Sequence, residues 1–201
     1  MEPSHQDTNR PKAGKGMYSA KNKKAPEGWM AELWDWTKTV LIAFAVMVVL
    51  NIFVFNLSLV RGESMEPTLE ERERLFVDKI VYRFTDPKHG EVVVLKDPSS
   101  DPDKKPFLVK RVVAVPGQTV EIRDRRLYVD GQVQNEPYTD TVIEGEGMPP
   151  VTLGEEEYFV MGDNRHAGES KDSRYFGSVK KSWIVGRAEF VFWPITKIRG
   201  L

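Results

Sequence analysis

Two side chains in this sequence have the chemistry of acyl transfer, a serine hydroxyl and a lysine amine. Ser64 lies in residues 61–69, a segment with glycine and proline that directly follows the 22 uncharged residues 39–60. A serine hydroxyl is a poor nucleophile until a nearby base removes its proton. Lys110 lies in the apolar run 107–115, where a lone ammonium would be expensive unless its charge had a use. A serine nucleophile with a buried lysine base therefore predicts acyl transfer beside a membrane.

Lys110 is a better candidate for the base than any histidine. In an extended strand its side chain shares a face with Leu108 and Val112, whereas Arg111 points to the other side. Lowering a lysine pKa from about 10.4 to about 7 or 8 costs on the order of 4 kcal/mol, which burial among aliphatic groups can supply. The alternative on this strand alone is a lysine at a sheet edge whose ammonium reaches water. The three histidines are His5, His89 and His166, and the sequence around each of them favours a surface position.

A third polar segment follows a predicted strand and could brace the serine and the lysine. It begins with Gly-Asp-Asn-Arg at residues 162–165 and continues through residues 170–177. A solvated loop would have the same composition, and Ser64 by itself would also fit an ordinary turn or a helix N-cap. The three segments together, rather than any one of them, indicate a catalytic site.

The uncharged residues 39–60 predict a single transmembrane helix. At about 1.5 Å per residue this helix would be roughly 33 Å long, enough to cross a hydrocarbon core of about 30 Å. Three tryptophans precede it like an interfacial belt. Residues 10–24 carry six basic residues and no acidic one, which predicts a cytoplasmic N-terminus. A cleavable signal peptide is the alternative, but it would have a shorter apolar region and a small-residue cleavage site.

The remainder of the chain has the pattern of an antiparallel β domain. Short β-branched runs are separated by turn residues and predict strands at residues 75–82, 91–95, 107–115, 119–122, 127–129, 158–161 and 184–193. Asp130-Gly131 lies between two such runs and indicates a hairpin, because both turn positions need a positive φ. Residues 97–106 and 139–157 read as loops.

Length and composition limit the classes of function. The 201 residues allow one domain of ordinary size with appendages. With 29 basic and 30 acidic residues, the net charge of -1 offers no electrostatic footprint for nucleic acid. There is no cysteine, and we find neither a ligand cluster nor a phosphate-binding glycine loop. We therefore expect no nucleic-acid partner, no metal and no organic cofactor.

Together these segments resemble the type I signal peptidases, membrane-bound Ser/Lys proteases that remove signal peptides from exported proteins. In that family the nucleophile lies in Ser-Met-x-Pro-Thr, here residues 64–68, and the base begins Lys-Arg-Val-x-Ala-x-Pro-Gly, here residues 110–117. Gly-Asp-Asn-Arg occurs unchanged at residues 162–165. Further similar stretches lie at residues 90–93, 186–188 and 193–194. The resemblance implies a mainly β fold, with an antiparallel β-sheet catalytic domain of the signal peptidase/LexA type and one N-terminal transmembrane helix.

The resemblance also implies a role for each site residue. Ser64 attacks the scissile carbonyl, and Lys110 acts first as base and then as acid. Backbone N–H groups, including that of Ser64, hold the oxyanion, because Gly62 stands where some members carry a serine hydroxyl. Ser170 positions the lysine amine. The remaining supporting residues are Asp163, Asn164, Asp172 and Arg174, of which the last two form an ion pair. Six residues separate Gly-Asp-Asn-Arg from Asp-Ser-Arg, where the family usually has four.

The implied substrate is an extended preprotein signal peptide with small residues at positions -1 and -3, added to a sheet edge by main-chain hydrogen bonds. We expect a protein of the cell membrane, in contact with lipid, that crosses it once. A disordered cytoplasmic tail would occupy residues 1–28, an interfacial segment and the helix residues 29–60, and an extracytoplasmic protease domain residues 61–201. Two other functions stay open, a Ser/Lys autoprotease of the LexA type and a non-catalytic membrane-tethered β-domain binding module. The membrane segment argues against the first.

Overall fold

The computed structural model describes residues 28–98 and 107–201. The predicted tail over residues 1–28, apart from its last residue, and most of the predicted loop 97–106 lie outside the described residues. The chain divides into two compact units, residues 1–43 and residues 44–201. The described part of the first unit is helical, and the second unit contains two β-sheets.

Helix α1 spans Trp29–Phe53, and it is long and apolar enough to cross a membrane by length and composition. It ends seven residues before the predicted limit at Val60, which corrects the predicted span of the helix. Phe55–Leu59 instead forms strand β1, because its backbone pairs with β2, Arg74–Asp78. An apolar run does not distinguish helix from strand, and here pairing with a later segment decides.

The end of α1 is fixed by a side chain from the turn after β2. Lys79 Nζ donates hydrogen bonds to the carbonyl oxygens of Asn51, at 3.1 Å, and Ile52, at 3.3 Å. The last carbonyls of a helix have no partner within the helix, and a cationic donor there also matches the negative end of the helix dipole. Lys79 thus stabilises the helix end from which β1 continues.

The other strands are β3 Val92–Lys96, β4 Phe107–Ala114, β5 Thr119–Arg123, β6 Arg126–Val129, β7 Gln132–Val133, β8 Met148–Thr152, β9 Glu157–Met161, β10 Val179–Lys180, β11 Ile184–Trp193 and β12 Arg199–Gly200. The larger sheet has the strand order β1-β2-β11-β3-β4-β9-β10, with β12 paired to β11. The smaller sheet has the order β7-β6-β5-β8. Every strand pair among the described residues is antiparallel, which confirms the predicted fold class. The short helices are α2 Val81–Phe84 and α3 Ser173–Phe176, and 3-10 turns lie at Lys181–Trp183 and Ile195–Lys197.

Two local predictions had different outcomes. Asp130 and Gly131 have φ angles of 51° and 76° and join β6 to β7, as predicted for a two-residue hairpin. The predicted loop 139–157, by contrast, contains strand β8. This strand includes Pro149 and Pro150, which lack an N–H donor. The prolines are tolerated because β8 is an edge strand paired only with β5 among the described residues.

The core is built from alternating side chains on the central strands. Val112 and Val160 pack in one apolar cluster, and their neighbours Val113 and Met161 pack in another on the opposite face. Full burial of one such side chain is worth about 1.5–3 kcal/mol. Strands β4 and β9 are therefore packed on both faces, which fixes the positions of the residues that they carry and of those that follow them.

Candidate active site

Ser64 begins a tight turn between β1 and β2. The turn is closed by the Glu66 N–H, which donates to the Glu63 carbonyl at 3.0 Å, and by the Leu69 N–H, which donates to the Met65 carbonyl at 2.9 Å. The side chains of Met65 and Leu69 are buried in the apolar core beneath the turn. Because these two residues anchor the turn, the Ser64 hydroxyl is held at a fixed place above the core.

Lys110 lies in the middle of β4, opposite Val93 of β3. Its side chain is only 2% exposed, and its Nζ lies 2.7 Å from Ser64 Oγ. Arg111 points to the other side of the strand, where it donates to Asp163 and to the Gly90 carbonyl. The alternation expected of a strand thus places the amine, and not the guanidinium, beside the hydroxyl.

Ser64 and Lys110 face a cleft of about 470 Å³ between residues 58–65 and residues 107–110. Its apolar lining includes Leu59, Val60, Met65, Val94, Leu108 and Val109. Strand β9 pairs with β4 only from Arg111 onward, so among the described residues no strand pairs with residues 107–110 on that side. The cleft therefore combines an apolar wall with a stretch of β4 that pairs with no described strand on that side, to which an extended peptide could add.

Residues 162–165 follow β9, and each of them is held by a different part of the chain. The Gly162 N–H donates to Asp172 Oδ2 at 3.0 Å. Asp163, which is fully buried, pairs with Arg111 at 2.6 Å. Arg165 donates to the Gly162 carbonyl at 2.8 Å and to both carboxylate oxygens of Glu136. The segment is thereby fixed from several sides.

Asn164 joins this segment to the turn that carries Ser64. Its side-chain Nδ2 donates to the Glu63 carbonyl at 3.1 Å, and its backbone N–H donates to the Ser64 carbonyl at 3.2 Å. Of the two predicted supporting residues in this segment, Asp163 thus pairs with Arg111, and Asn164 binds the turn that carries Ser64. The Asp163 carboxylate contacts β4 rather than a histidine.

Ser170, Asp172 and Arg174 form a connected group. The Ser170 hydroxyl donates to Asp172 Oδ2 at 2.7 Å, and the Arg174 guanidinium donates to both oxygens of Asp172 at 2.9 and 2.8 Å. Burial raises the pKa of Asp172, but the hydrogen bonds and charge of Arg174, with the donors Gly162 N–H and Ser170, hold that pKa below its ordinary value. Asp172 therefore stays ionised and orients Ser170.

The longer stretch between Arg165 and Asp172 forms an exposed turn. The Glu169 N–H donates to the His166 carbonyl at 3.3 Å, and the Ala167 N–H donates to Glu144 at 3.1 Å. His166 is 47% exposed and its ring lies 3.3 Å from the Glu144 carboxylate. The additional residues are thus accommodated at the surface, and the contacts of Ser170 with Asp172 are retained.

Three contributors to the site carry no signal in the sequence. Glu136 pairs with Arg165, Tyr138 lies with its ring 4.1 Å from the Arg111 guanidinium carbon, and Glu144 holds the turn at residues 166–169. Glu136 and Arg165 are 29 positions apart, and no local spacing indicates that they pair. Among residues 28–98 and 107–201, no group of three metal-binding side chains occurs.

Comparison with known proteins gives consistent matches. Residues 33–193 match the family model described as signal peptidase, peptidase S26. A signal peptidase I of Bacillus amyloliquefaciens is 36% identical over 189 residues, covering 89% of this chain and 98% of that protein. A signal peptidase I P of Bacillus subtilis subsp. natto is 40% identical over 176 residues, covering 82% of this chain and 91% of that protein. A crystal structure of a signal peptidase I from Enterococcus faecalis V583 matches 51% of this chain and 97% of its own, with 31% identity and a TM-score of 0.42.

Proposed function

Because the chain belongs to the signal peptidase family, peptidase S26, we propose that it is a membrane-bound serine endopeptidase that cleaves signal peptides from exported preproteins with Ser64 as nucleophile and Lys110 as general base. The observation that carries this proposal is the 2.7 Å distance between Lys110 Nζ and Ser64 Oγ beside an apolar cleft. Lys110 is only 2% exposed, and burial disfavours the charged form of an amine.

The reaction proceeds in two halves. Ser64 Oγ attacks the scissile carbonyl carbon while the Lys110 lone pair takes the hydroxyl proton, which gives a tetrahedral intermediate with a negatively charged oxygen. The Lys110 ammonium then gives this proton to the leaving nitrogen as the C–N bond breaks, and the mature protein departs. In the second half the amine takes a proton from a water molecule, whose oxygen attacks the acyl carbon of the acyl-enzyme. The Lys110 ammonium then gives this proton to Ser64 Oγ as the bond between the acyl carbon and Oγ breaks, which restores both side chains and releases the signal peptide with a C-terminal carboxylic acid. This acid loses its proton to solvent.

The Ser64 N–H is the candidate donor to the oxyanion. Within residues 28–98 and 107–201 it donates to no protein acceptor, so it is available to a substrate oxygen. A donor held in place before the reaction needs no reorganisation in the transition state. Ser170 would support the site from the other side, because Asp172 orients its hydroxyl and Gly162 lies between Ser170 Oγ and the Ser64 carbonyl.

The lining of the cleft is consistent with a substrate that has small side chains at positions -1 and -3. In an extended peptide, alternate side chains point to the same face, so the two positions would enter the same apolar wall of Val60, Met65 and Val109. A small side chain leaves the peptide backbone close enough to hydrogen-bond with the backbone of β4. Larger side chains would hold the backbone away from that edge.

We place the N-terminus in the cytoplasm and the β domain outside, with α1 crossing the membrane once. This follows from the six basic residues at positions 10–24 and from the length and composition of α1. Family membership favours neither of the alternative functions, a LexA-type autoprotease or a non-catalytic binding module.

The test is cleavage of a secretory precursor by the purified protein, with sequencing of the new N-terminus. We expect one cut after a small residue, and loss of cleavage in Ser64→Ala and Lys110→Met proteins that keep the wild-type melting temperature. The rate should rise with pH through a value well below about 10.4, the pKa of a free lysine. Full activity in either variant would reject the dyad. A rate that depends on a group with a pKa of about 6.5, as for a histidine, would reject it as well.

A further inference from the structure

We propose that Asn164 is a positioning residue that aims the Ser64 N–H at the oxyanion by holding the carbonyl groups on both sides of that amide. The inference rests on the function proposed above and adds a residue to its machinery. It starts from the two hydrogen bonds by which one residue binds two consecutive carbonyls, those of Glu63 and Ser64.

The direction of the Ser64 N–H is set by the peptide group to which it belongs. In a planar trans peptide the carbonyl of one residue and the N–H of the next point in opposite directions. The Glu63 carbonyl and the Ser64 N–H share such a group, and Asn164 Nδ2 donates to this carbonyl at 3.1 Å. With its oxygen held toward Asn164, the peptide must direct its N–H away from Asn164, where the N–H meets no acceptor among the described residues.

A second bond fixes the peptide group that follows. The Asn164 backbone N–H donates to the Ser64 carbonyl at 3.2 Å, so both peptide planes next to the Ser64 Cα are tied to one residue. The turn itself contributes the bond from the Glu66 N–H to the Glu63 carbonyl at 3.0 Å. That bond closes the turn internally, whereas the bonds of Asn164 fix the turn relative to the segment that carries Asp163.

The Asn164 side chain is suited to this task because its own orientation is fixed. Its Oδ1 accepts from the His166 N–H at 3.1 Å, which identifies the other side-chain atom as the amide nitrogen that faces Glu63. The residue is 7% exposed, so water does not readily replace it. Aspartate has the same shape, but an ionised carboxylate cannot donate to a carbonyl.

The direction of the Ser64 N–H matters more in this chain because position 62 is a glycine. Gly62 lies two residues before the nucleophile and provides no side-chain hydroxyl for a second oxyanion donor. Loss of one oxyanion donor costs about 100- to 1000-fold in kcat. Misdirection of a donor that remains present costs less, and we expect a loss of about tenfold to a hundredfold when Asn164 no longer holds the carbonyl.

The test compares wild type with Asn164→Ala and Asn164→Asp in the full-length protein embedded in lipid. Two ligands share one signal-peptide sequence and end in an aldehyde or in the corresponding alcohol. The aldehyde adds to Ser64 Oγ and places an oxygen in the oxyanion position, whereas the alcohol only fills the cleft. We expect both variants to lose kcat and aldehyde affinity by the same factor, with KM and alcohol affinity within twofold of wild type. Asn135→Ala, an exposed amide, is the matched control and should behave as wild type.

Other outcomes would overturn the inference. They are an unchanged kcat in both variants, or an equal loss of aldehyde and alcohol affinity, which a merely structural role produces. If both variants fail to fold, the wild-type ¹⁵N spectrum decides, and the Ser64 amide proton must shift downfield on aldehyde binding while the Asn164 side-chain protons stay hydrogen-bonded. A wild-type protein without Ser64-dependent cleavage would instead reject the proposed function, and the inference with it.

Discussion

Gly162 lies between the turn that carries Ser64 and the side chain of Ser170, with no room for a side chain of its own. A methyl group at this position would lie 2.3 Å from the Ser64 carbonyl oxygen and 2.2 Å from Ser170 Oγ. Carbon and oxygen atoms do not approach so closely, so either the turn or the serine must move. The proposed catalytic distance therefore depends on the smallness of a residue that performs no chemistry.

We expect Gly162→Ala to reduce kcat/KM at least a hundredfold, because displacement of reacting groups by about 1 Å has effects of that size. The measurement is preprotein cleavage with purified variants. Gly154→Ala is the matched control, since its methyl group would meet only the flexible Glu157 side chain at an ordinary 3.4 Å. Wild-type activity in Gly162→Ala would show that the close approach at Gly162 is not required.

Asp172 links stability to pH. Its pKa lies below the ordinary value in the folded state, so its stabilising contribution is fully present above the pKa of the unfolded chain, about 3.9. As the pH falls below that value toward the folded pKa, the unfolded chain binds the proton first and the contribution is lost. Protonation of Asp172 also removes the negative charge with which Arg174 pairs.

We therefore expect Asp172→Asn to lower the free energy of unfolding at pH 7 by about 3–5 kcal/mol, as for a broken buried ion pair. Between pH 7 and pH 3 the variant should lose less stability than wild type, because the residue that titrates is gone. Urea unfolding at several pH values measures both effects. Parallel pH curves for the two proteins would assign the acid sensitivity to other carboxylates.

The sequence indicates Ser64 and Lys110 because their chemistry is visible in their immediate neighbours, a turn in one case and an apolar strand in the other. The partners Glu136 and Arg165 could not be predicted. Their pairing depends on how the smaller sheet and the segment after β9 meet, and no residue near either of them reports on that contact.

At the level of elements, three strands are joined on one face by stacked aromatic rings. Phe55 of β1 stacks on Phe76 of β2 at 5.3 Å, and Phe76 stacks on Phe190 of β11 at 5.1 Å between ring centroids. Such pairs are worth about 0.5–1.5 kcal/mol beyond the area that they bury. Phe76 takes part in both pairs, and Phe55 in one.

We expect Phe76→Ala to lower the free energy of unfolding about twice as much as Phe55→Ala, by roughly 1–3 kcal/mol for the two lost ring pairs. Denaturant unfolding of the purified variants measures the difference. Phe84→Ala, at a ring that is 83% exposed, is the control and should change stability little. Equal losses at positions 55 and 76 would argue against a stack that runs across the three strands.

The strands could largely be predicted, but the order of the strands could not. Short β-branched runs mark most of the longer strands locally, whereas the position of β11 between β2 and β3 depends on pairing between residues 89 to 119 positions apart. The sequence pattern does not predict strands β1 and β8, and the reasons are opposite. The first continues an apolar run that also suits a helix, and the second contains prolines that ordinarily interrupt a sheet.

At the scale of the whole molecule, the chain separates charge and apolarity along its length. Basic residues concentrate before α1, the apolar helix follows, and the protease fold begins within two residues of the helix end. Basic residues beside a membrane segment remain in the cytoplasm, and large folded domains are translocated largely regardless of their charges. The order of these parts therefore predicts which side of the membrane each of them occupies.

The absence of cysteine makes this topology directly measurable, because a single introduced thiol is the only reactive one in the chain. We expect a membrane-impermeant maleimide, added outside intact cells, to label Glu155→Cys in the β domain and to leave Ser4→Cys unlabelled. Permeabilised cells should label both, which controls for the reactivity of the tail thiol. Labelling of Ser4→Cys but not Glu155→Cys in intact cells would reverse the orientation, and the β domain would then lie on the side where precursors are made, away from exported signal peptides.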